Sequence, residues 1–316
     1  MLRYTLSRLA QAVLVMAVMS FLLFVLIGFM PGDPIETMFE GNPAMTPELV
    51  TQMRQLYGVD QPVVLRYWHW LSAALHGDFG YSSLYFRPVL DILWPAVLQT
   101  SALIAATLAI SIPLALLLGM VAARRPNGWL DSLVSGFSFA AISVPSFWMS
   151  LVLLSIFSVK LHVLPATGIP LQNDAPLLVR IRYMILPVTV MSLFYVGPLI
   201  RYVRGSMLET LSADYIRTAR AKGLSESAVL VRHALPNALV PLITVLALSF
   251  GHLFSGALVV ETIFGMLGMG KMIYSGVTNV DFNLALVGLL FVTFLVLLSN
   301  LLADLAYAYL DPRIVL

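Results

Sequence analysis

Long apolar runs separated by short polar stretches dominate this chain from its first residues to its last. Runs at about 9–30, 98–122, 133–159, 184–203, 238–259 and 284–310 predict six membrane-spanning helices, several of them longer than the roughly 18–20 apolar residues that cross a hydrocarbon core. Between them the pattern changes in two places only: a mixed stretch at 31–97 and a polar loop at about 205–237. The expected fold is therefore an all-α polytopic membrane protein with three parts. These are a first helix within residues 1–30, a larger loop region over 31–97, and a core of five helices over 98–316 carrying a polar loop at about 205–237.

Composition agrees. Of 316 residues, 59% are hydrophobic and 11% charged, against about 25% charged in soluble domains. An ordinary soluble enzyme is excluded. With no cysteine, there is no disulfide framework, no thiol nucleophile and no thiolate metal site. The basic residues set the expected orientation. Arg3, Arg8, Arg124, Arg125, Arg201, Arg204, Arg217, Arg220, Lys222, Arg232 and Arg313 fall on one side, and only Lys160, Arg180, Arg182 and Lys271 in the short loops of the other. The positive-inside rule then places both termini in the cytoplasm. The run from Leu9 to Met30 exceeds a signal-peptide core and ends without a small-x-small cleavage pattern, so it is expected to remain as an anchor.

In the expected external loop, Thr46–Tyr57 is helix-compatible, and Tyr67-Trp68-His69-Trp70 is expected to rest at the headgroup level. The second external loop, about 160–183, holds Pro165, Gly168, Pro170 and Pro176 and is expected to be an ordered cap with little regular structure.

The loop between the fourth and fifth spans carries the chemistry. Leu208, Leu211, Tyr215 and Ala219 recur at spacings of three and four, predicting one face of an amphipathic helix. Gly223 is a natural stop, Ser225 an N-cap for a second short helix, and Pro236 a break before the fifth span. Such a projection suits a partner protein; a basic helix lying on anionic lipid is the other reading.

These residues resemble the cytoplasmic motif of permease subunits of ATP-binding-cassette importers, written Glu-Ala-Ala, three residues, Gly, nine residues, Ile-x-Leu-Pro. Registered on Gly223, Ala219, Leu235 and Pro236 match, while Arg217, Thr218 and His233 depart. The wording DYIRTARAKGLS (214–225) with RHALPNAL (232–239) is similar to the dipeptide/oligopeptide/nickel branch. Pro31-Gly32-Asp33-Pro34, Gly77-Asp78-Phe79-Gly80, Ser143-Val144-Pro145-Ser146-Phe147-Trp148, Leu164-Pro165-Ala166-Thr167-Gly168, Glu261-Thr262-Ile263-Phe264 and Asp311-Pro312-Arg313-Ile314 extend the resemblance over almost the whole chain.

The resemblance implies a bacterial inner-membrane subunit that hydrolyses nothing itself. It would pair with a second homologous permease and dock two ATPase subunits that use ATP and magnesium. It would receive short peptides from an extracytoplasmic binding protein; nickel, a metal chelate or glutathione is the alternative cargo within the branch. Asp214, Tyr215, Arg217, Ala219, Gly223, Leu235 and Pro236 would form the ATPase-coupling site. No cofactor, metal or nucleic acid is expected on this chain.

Residues that interrupt or polarise the spans are candidate pathway residues: Ser143 and Ser146 around Pro145, and His252 and Ser255 in the fifth span, where polar side chains are costly and face a bundle interior or cavity. An interhelical hydrogen bond holding the bundle is the favoured reading of His252, ahead of pathway lining. The segment Gly265 to Met272 has phosphate-loop spacing but lacks Ser or Thr after Lys271 and a preceding strand, which argues against nucleotide binding. The five scattered histidines make no HExxH pattern. A secondary transporter would show internal repeats and acids within the spans. An intramembrane enzyme would need a nucleophile with its base. Neither signature is present.

Overall fold

The computed structural model describes residues 2–30, 61–170 and 175–310; within the fifth long helix, some side chains, His252 and Ser255 among them, lie outside that description. The stretch Thr46–Tyr57 also lies outside the described residues. The described residues are mostly helical, with α1 (Leu2–Gly28), α2 (Val63–Leu75), α3 (Val89–Arg124), α4 (Trp129–Ser143), α5 (Ser146–Leu153), α6 (Leu177–Leu211), α7 (Asp214–Ala221), α8 (Glu226–Ala228), α9 (Leu235–Ile263), α10 (Met269–Thr278) and α11 (Phe282–Leu310). Among the described residues, four helices are long and apolar enough to cross a membrane, and the bent pair α4/α5 makes up to five. The fifth expected span falls on α9.

The third expected span is not one straight helix. Proline restricts the residue before it to extended backbone, and Val144 accordingly has ψ 121°, with Pro145 at ψ 137° acting as the N-cap of α5. The two segments on either side, Trp129–Ser143 and Ser146–Lys160, meet at 97°. After α5 the chain winds as a π-helix over Leu154–Lys160. In the expected cap at 160–183 the described residues are irregular over 161–170 and 175–176, and α6 begins at Leu177. Pro187 and Pro198 lie inside α6, tolerated where neighbouring helices satisfy the freed carbonyls.

The chain folds as two compact units. One runs from Leu2 to Thr100 and from Leu267 to Leu298. Its core joins Phe24, Ile27 and Tyr67 to Ala285, Leu286 and Leu290, and Val89, Leu93 and Ala96 to Met272, Leu284 and Val287. A two-stranded hairpin, β1 (Tyr81–Ser82) with β2 (Arg87–Pro88), leads into α3. The aromatic cluster divides. Tyr67 is buried, edge-on to Phe21 and Phe24, and its hydroxyl lies 2.7 Å from Ser20 Oγ; Trp70 is partly buried beside it, and only Trp68 and His69 face outward. Tyr67 and Trp70 thus pack into this unit, while Trp68 and His69 are its outward members.

The other unit comprises Ser101–Met266 and the chain from Ser299 onward. Its core gathers Ala115, Ala122, Ala123, Val134, Val196, Ile200, Val203 and Met207 with Ile216, Ala219, Val229 and Ala234. At the opposite end of α9, Gly168 N–H donates to the Phe264 carbonyl at 2.7 Å.

Candidate coupling site

The helix expected to carry Leu208 through Ala219 is two helices. It ends at Leu211, where Ser212 Oγ donates to the Glu209 carbonyl. Ala213 is extended, and α7 starts afresh at Asp214 with its own phase. The buried side of α7 is therefore Ile216 and Ala219, at 0% and 5% exposure, and Tyr215 is 46% exposed. This corrects the expected face. Ile216 and Ala219 belong to one buried cluster with Val203, Met207, Val229 and Ala234, and α7 packs against the π-helical segment Val229–Ala234; burying Ile216 stabilises the projection by roughly 2 kcal/mol.

The turn after α7 is as the sequence suggests. Gly223 has φ +79°, a left-handed C-cap that L side chains rarely adopt. Ser225 Oγ accepts from Ala228 N–H at 3.4 Å, capping α8. From there the chain does not loop back. A π-helix over Val229–Ala234 runs directly into α9, whose second residue is Pro236, so the backbone stays helical through it and Pro236 does not break the helix.

Asp214, Tyr215, Arg217, Thr218, Arg220, Lys222, Gly223 and Leu224 are all exposed, as is Pro236, while Leu235 is half-buried. The acid in the first turn of α7 and the base in its last turn complement the helix dipole. Arg217 pairs with Asp214 at 3.3 Å, and Arg220 forks onto Glu226 at 2.8 and 3.2 Å across the Gly223 turn. The Arg220 guanidinium holds the Glu226 carboxyl below its usual range. The result is a short helix fixed from beneath by apolar contacts, with polar groups displayed outward.

One contact had no signature in the local pattern. Arg204 of α6 places Nε and Nη2 on the two carboxylate oxygens of Asp131, at 2.5 and 2.7 Å. Asp131 is only 3% exposed and also accepts from Asn127 N–H at 2.8 Å. Partners 73 residues apart in sequence are invisible to helical periodicity. Acid and base here join the α3–α4 turn to the end of α6, two segments that the basic-residue count assigned to the same side.

Of the candidate pathway residues, the side chains of Ser143 and Ser146 are among those described, and those of His252 and Ser255 lie outside the description. Ser146 lines an apolar cavity of about 140 Å³ at the α4/α5 break, with Phe137, Val144, Met149 and Phe194. Ser143 is exposed and donates to the Phe139 carbonyl of its own helix. The cavity is smaller than the roughly 300 Å³ at which small-molecule pockets begin. On α6, Ser192 and Tyr195 are buried one turn apart, and their hydroxyls have no hydrogen-bond partner among the described residues. At the segment with phosphate-loop spacing, a helix precedes the glycines and Met269 N–H, at the start of α10, donates to Thr100 Oγ1 at 2.8 Å.

Comparison with known proteins accounts for this arrangement. Residues 115–316 match the family described as binding-protein-dependent transport system inner membrane component, and residues 1–114 match its N-terminal companion. A putative peptide transport system permease protein of Brucella abortus is 38% identical over 309 residues, covering 98% of each chain. A probable peptide ABC transporter permease protein of Sinorhizobium fredii is 36% identical over 313 residues, again covering 98% of each. A glutathione transport system permease protein of Escherichia coli is 32% identical over 314 residues, covering 99% of each. The chain therefore belongs to the binding-protein-dependent inner-membrane permeases, in their dipeptide/oligopeptide branch, and is an integral membrane permease subunit of an ABC importer.

Proposed function

We propose that this chain forms half of a six-span-per-subunit translocation pathway for short peptides, with both termini in the cytoplasm. Its partner in the membrane is a second, homologous permease, a different chain. Two ATPase subunits dock on the cytoplasmic side and carry out all ATP and magnesium chemistry, and an extracytoplasmic binding protein delivers the cargo. ATP binding and hydrolysis in the partners bias which side the pathway opens to.

The observation that carries this reading is the construction of α7. Its inner residues Ile216 and Ala219 are spent on the core, and its outer residues Asp214, Tyr215, Arg217 and Thr218 are displayed. A helix anchored in that way moves with α6 and presents a fixed polar surface to a partner. Peptide cargo is supported by the peptide permeases among the relatives. Glutathione, itself a small peptide, is the second reading, supported by the Escherichia coli relative.

Affinity purification of the tagged chain in mild detergent, with mass spectrometry and a vanadate-sensitive ATPase assay, tests the assembly. A second permease and ATPases are expected in the eluate. Reconstitution with the cognate binding protein then tests cargo, by competing labelled dipeptide uptake with unlabelled dipeptides, glutathione and nickel. Competition by dipeptides supports the reading; uptake displaced by glutathione or nickel alone overturns the peptide assignment.

A further inference from the structure

Two contacts fasten α4 to α6. At one end Arg204 grips the buried Asp131 with both prongs of its guanidinium. Two turns further, Gly197 lies against α4 so closely that a Cβ there would come within 2.8 Å of the Ser138 carbonyl and 3.2 Å of Ala141 Cβ. Asp131 to Ser138 and Arg204 back to Gly197 are the same seven-residue step, so the helices run antiparallel in matched register over that length. Each helix also ends at a change of direction. α6 leads through Ser212-Ala213 to α7, whose Ile216 and Ala219 share one buried cluster with Val203 and Met207. α4 leads to the 97° break at Val144-Pro145 and its cavity.

We propose that the Asp131–Arg204 ion pair is the positioning contact that makes α4 and α6 one lever, so that displacement of α7 reaches the α4/α5 break. The inference rests on the reading of α7 as the ATPase-docking surface. An apolar contact at this point would hold the helices together but let them slide. A bidentate Arg–carboxylate pair fixes orientation as well as distance. Burial of Asp131 makes the pair costly to open, because opening leaves an unpaired charge out of water. The Asn127 N–H on the same carboxylate extends the clamp to the α3–α4 turn.

The test uses the whole complex in proteoliposomes, with peptide uptake and ATP hydrolysis measured together and thermal stability measured alongside. Asp131→Asn and Arg204→Gln are expected to lower uptake per ATP by about fivefold or more, within the ordinary range of coupling between sites, while the ATPases still co-purify and hydrolyse ATP. Because the chain has no cysteine, the double variant Asp131→Cys/Arg204→Cys can be bridged within this chain by a short bismaleimide. Bridging is expected to restore uptake per ATP in the same folded protein. Unchanged uptake per ATP in Asp131→Asn would overturn the lever. So would a parallel fall of uptake and hydrolysis that tracks a lowered melting temperature, or bridging without recovery. If the unaltered chain retains no ATPase, the docking reading itself fails, and that result is distinct from the others.

Discussion

Ser82 donates its hydroxyl to the carboxylate of Asp281, a residue 199 positions away and 1% exposed. The same carboxylate accepts from Leu84 N–H at 3.1 Å and, through its other oxygen, from Leu284 N–H at 3.1 Å. Asp281 is thus the N-cap of α11 and the floor of the β1–β2 hairpin at once.

Asp281→Ala removes the cap and strands the Ser82 hydroxyl and Leu84 amide in a buried site. The cap accounts for about 1 kcal/mol and the orphaned donors for about 2 kcal/mol more. A loss of about 3 kcal/mol is expected, read as a lowered melting temperature in detergent, with Asp281→Asn losing less because its amide oxygen still accepts.

Substitutions in the projection separate shape from surface. A Cβ on Gly223 would meet nothing within 4 Å, so Gly223→Ala pays only for its left-handed backbone, about 1 kcal/mol. It is expected to retain ATPase co-purification. Gly223→Pro cannot adopt φ +79° and is expected to abolish uptake with membrane insertion intact. Ala219→Glu drives a carboxylate into the core beneath α7, so its loss of uptake is expected to come with increased protease sensitivity at 212–225. Normal uptake by Gly223→Pro at normal expression would sink the coupling assignment.

Much of this projection was legible from sequence because its determinants are local. Gly223 and Ser225 announce a C-cap and an N-cap within a few residues of where they act. Pro145 likewise announced an interruption, although nothing local encodes the 97° angle. What could not be read depends on neighbours distant in sequence. Ile216 takes the buried position in place of Tyr215 because the helix restarts at Asp214 and meets Val229 and Ala234, further along the chain. Tyr67 and Trp70 look like interface aromatics by composition and become core residues because Phe24 is there to receive them. Asp131 and Arg204 each look like a flanking charge until the fold sets them side by side.

At Gly197, Ala is expected to force α4 and α6 apart, because the added carbon would sit 2.8 Å from the Ser138 carbonyl. Overpacking of this kind costs about 1–3 kcal/mol. Thermal denaturation of Gly197→Ala beside Gly136→Ala provides the check. A Cβ at Gly136 meets nothing within 4 Å, and that variant is expected to melt as the unaltered chain does.

Tyr195→Phe is expected to be neutral or to stabilise by about 1 kcal/mol, since it deletes a buried hydroxyl without a partner among the described residues. A clear drop in melting temperature, with Ser192→Ala dropping likewise, would show that both hydroxyls are satisfied in the assembled complex.

The outward residues of α7 bear on how such a subunit can change over generations. Because Ile216 and Ala219 hold the helix in place, Tyr215, Arg217 and Thr218 can be rewritten with little toll on the fold. On the proposed reading of α7 as the docking surface, two paralogous importers in one cell could diverge in which motor they accept by drift at those three positions, leaving the membrane-embedded body inherited intact.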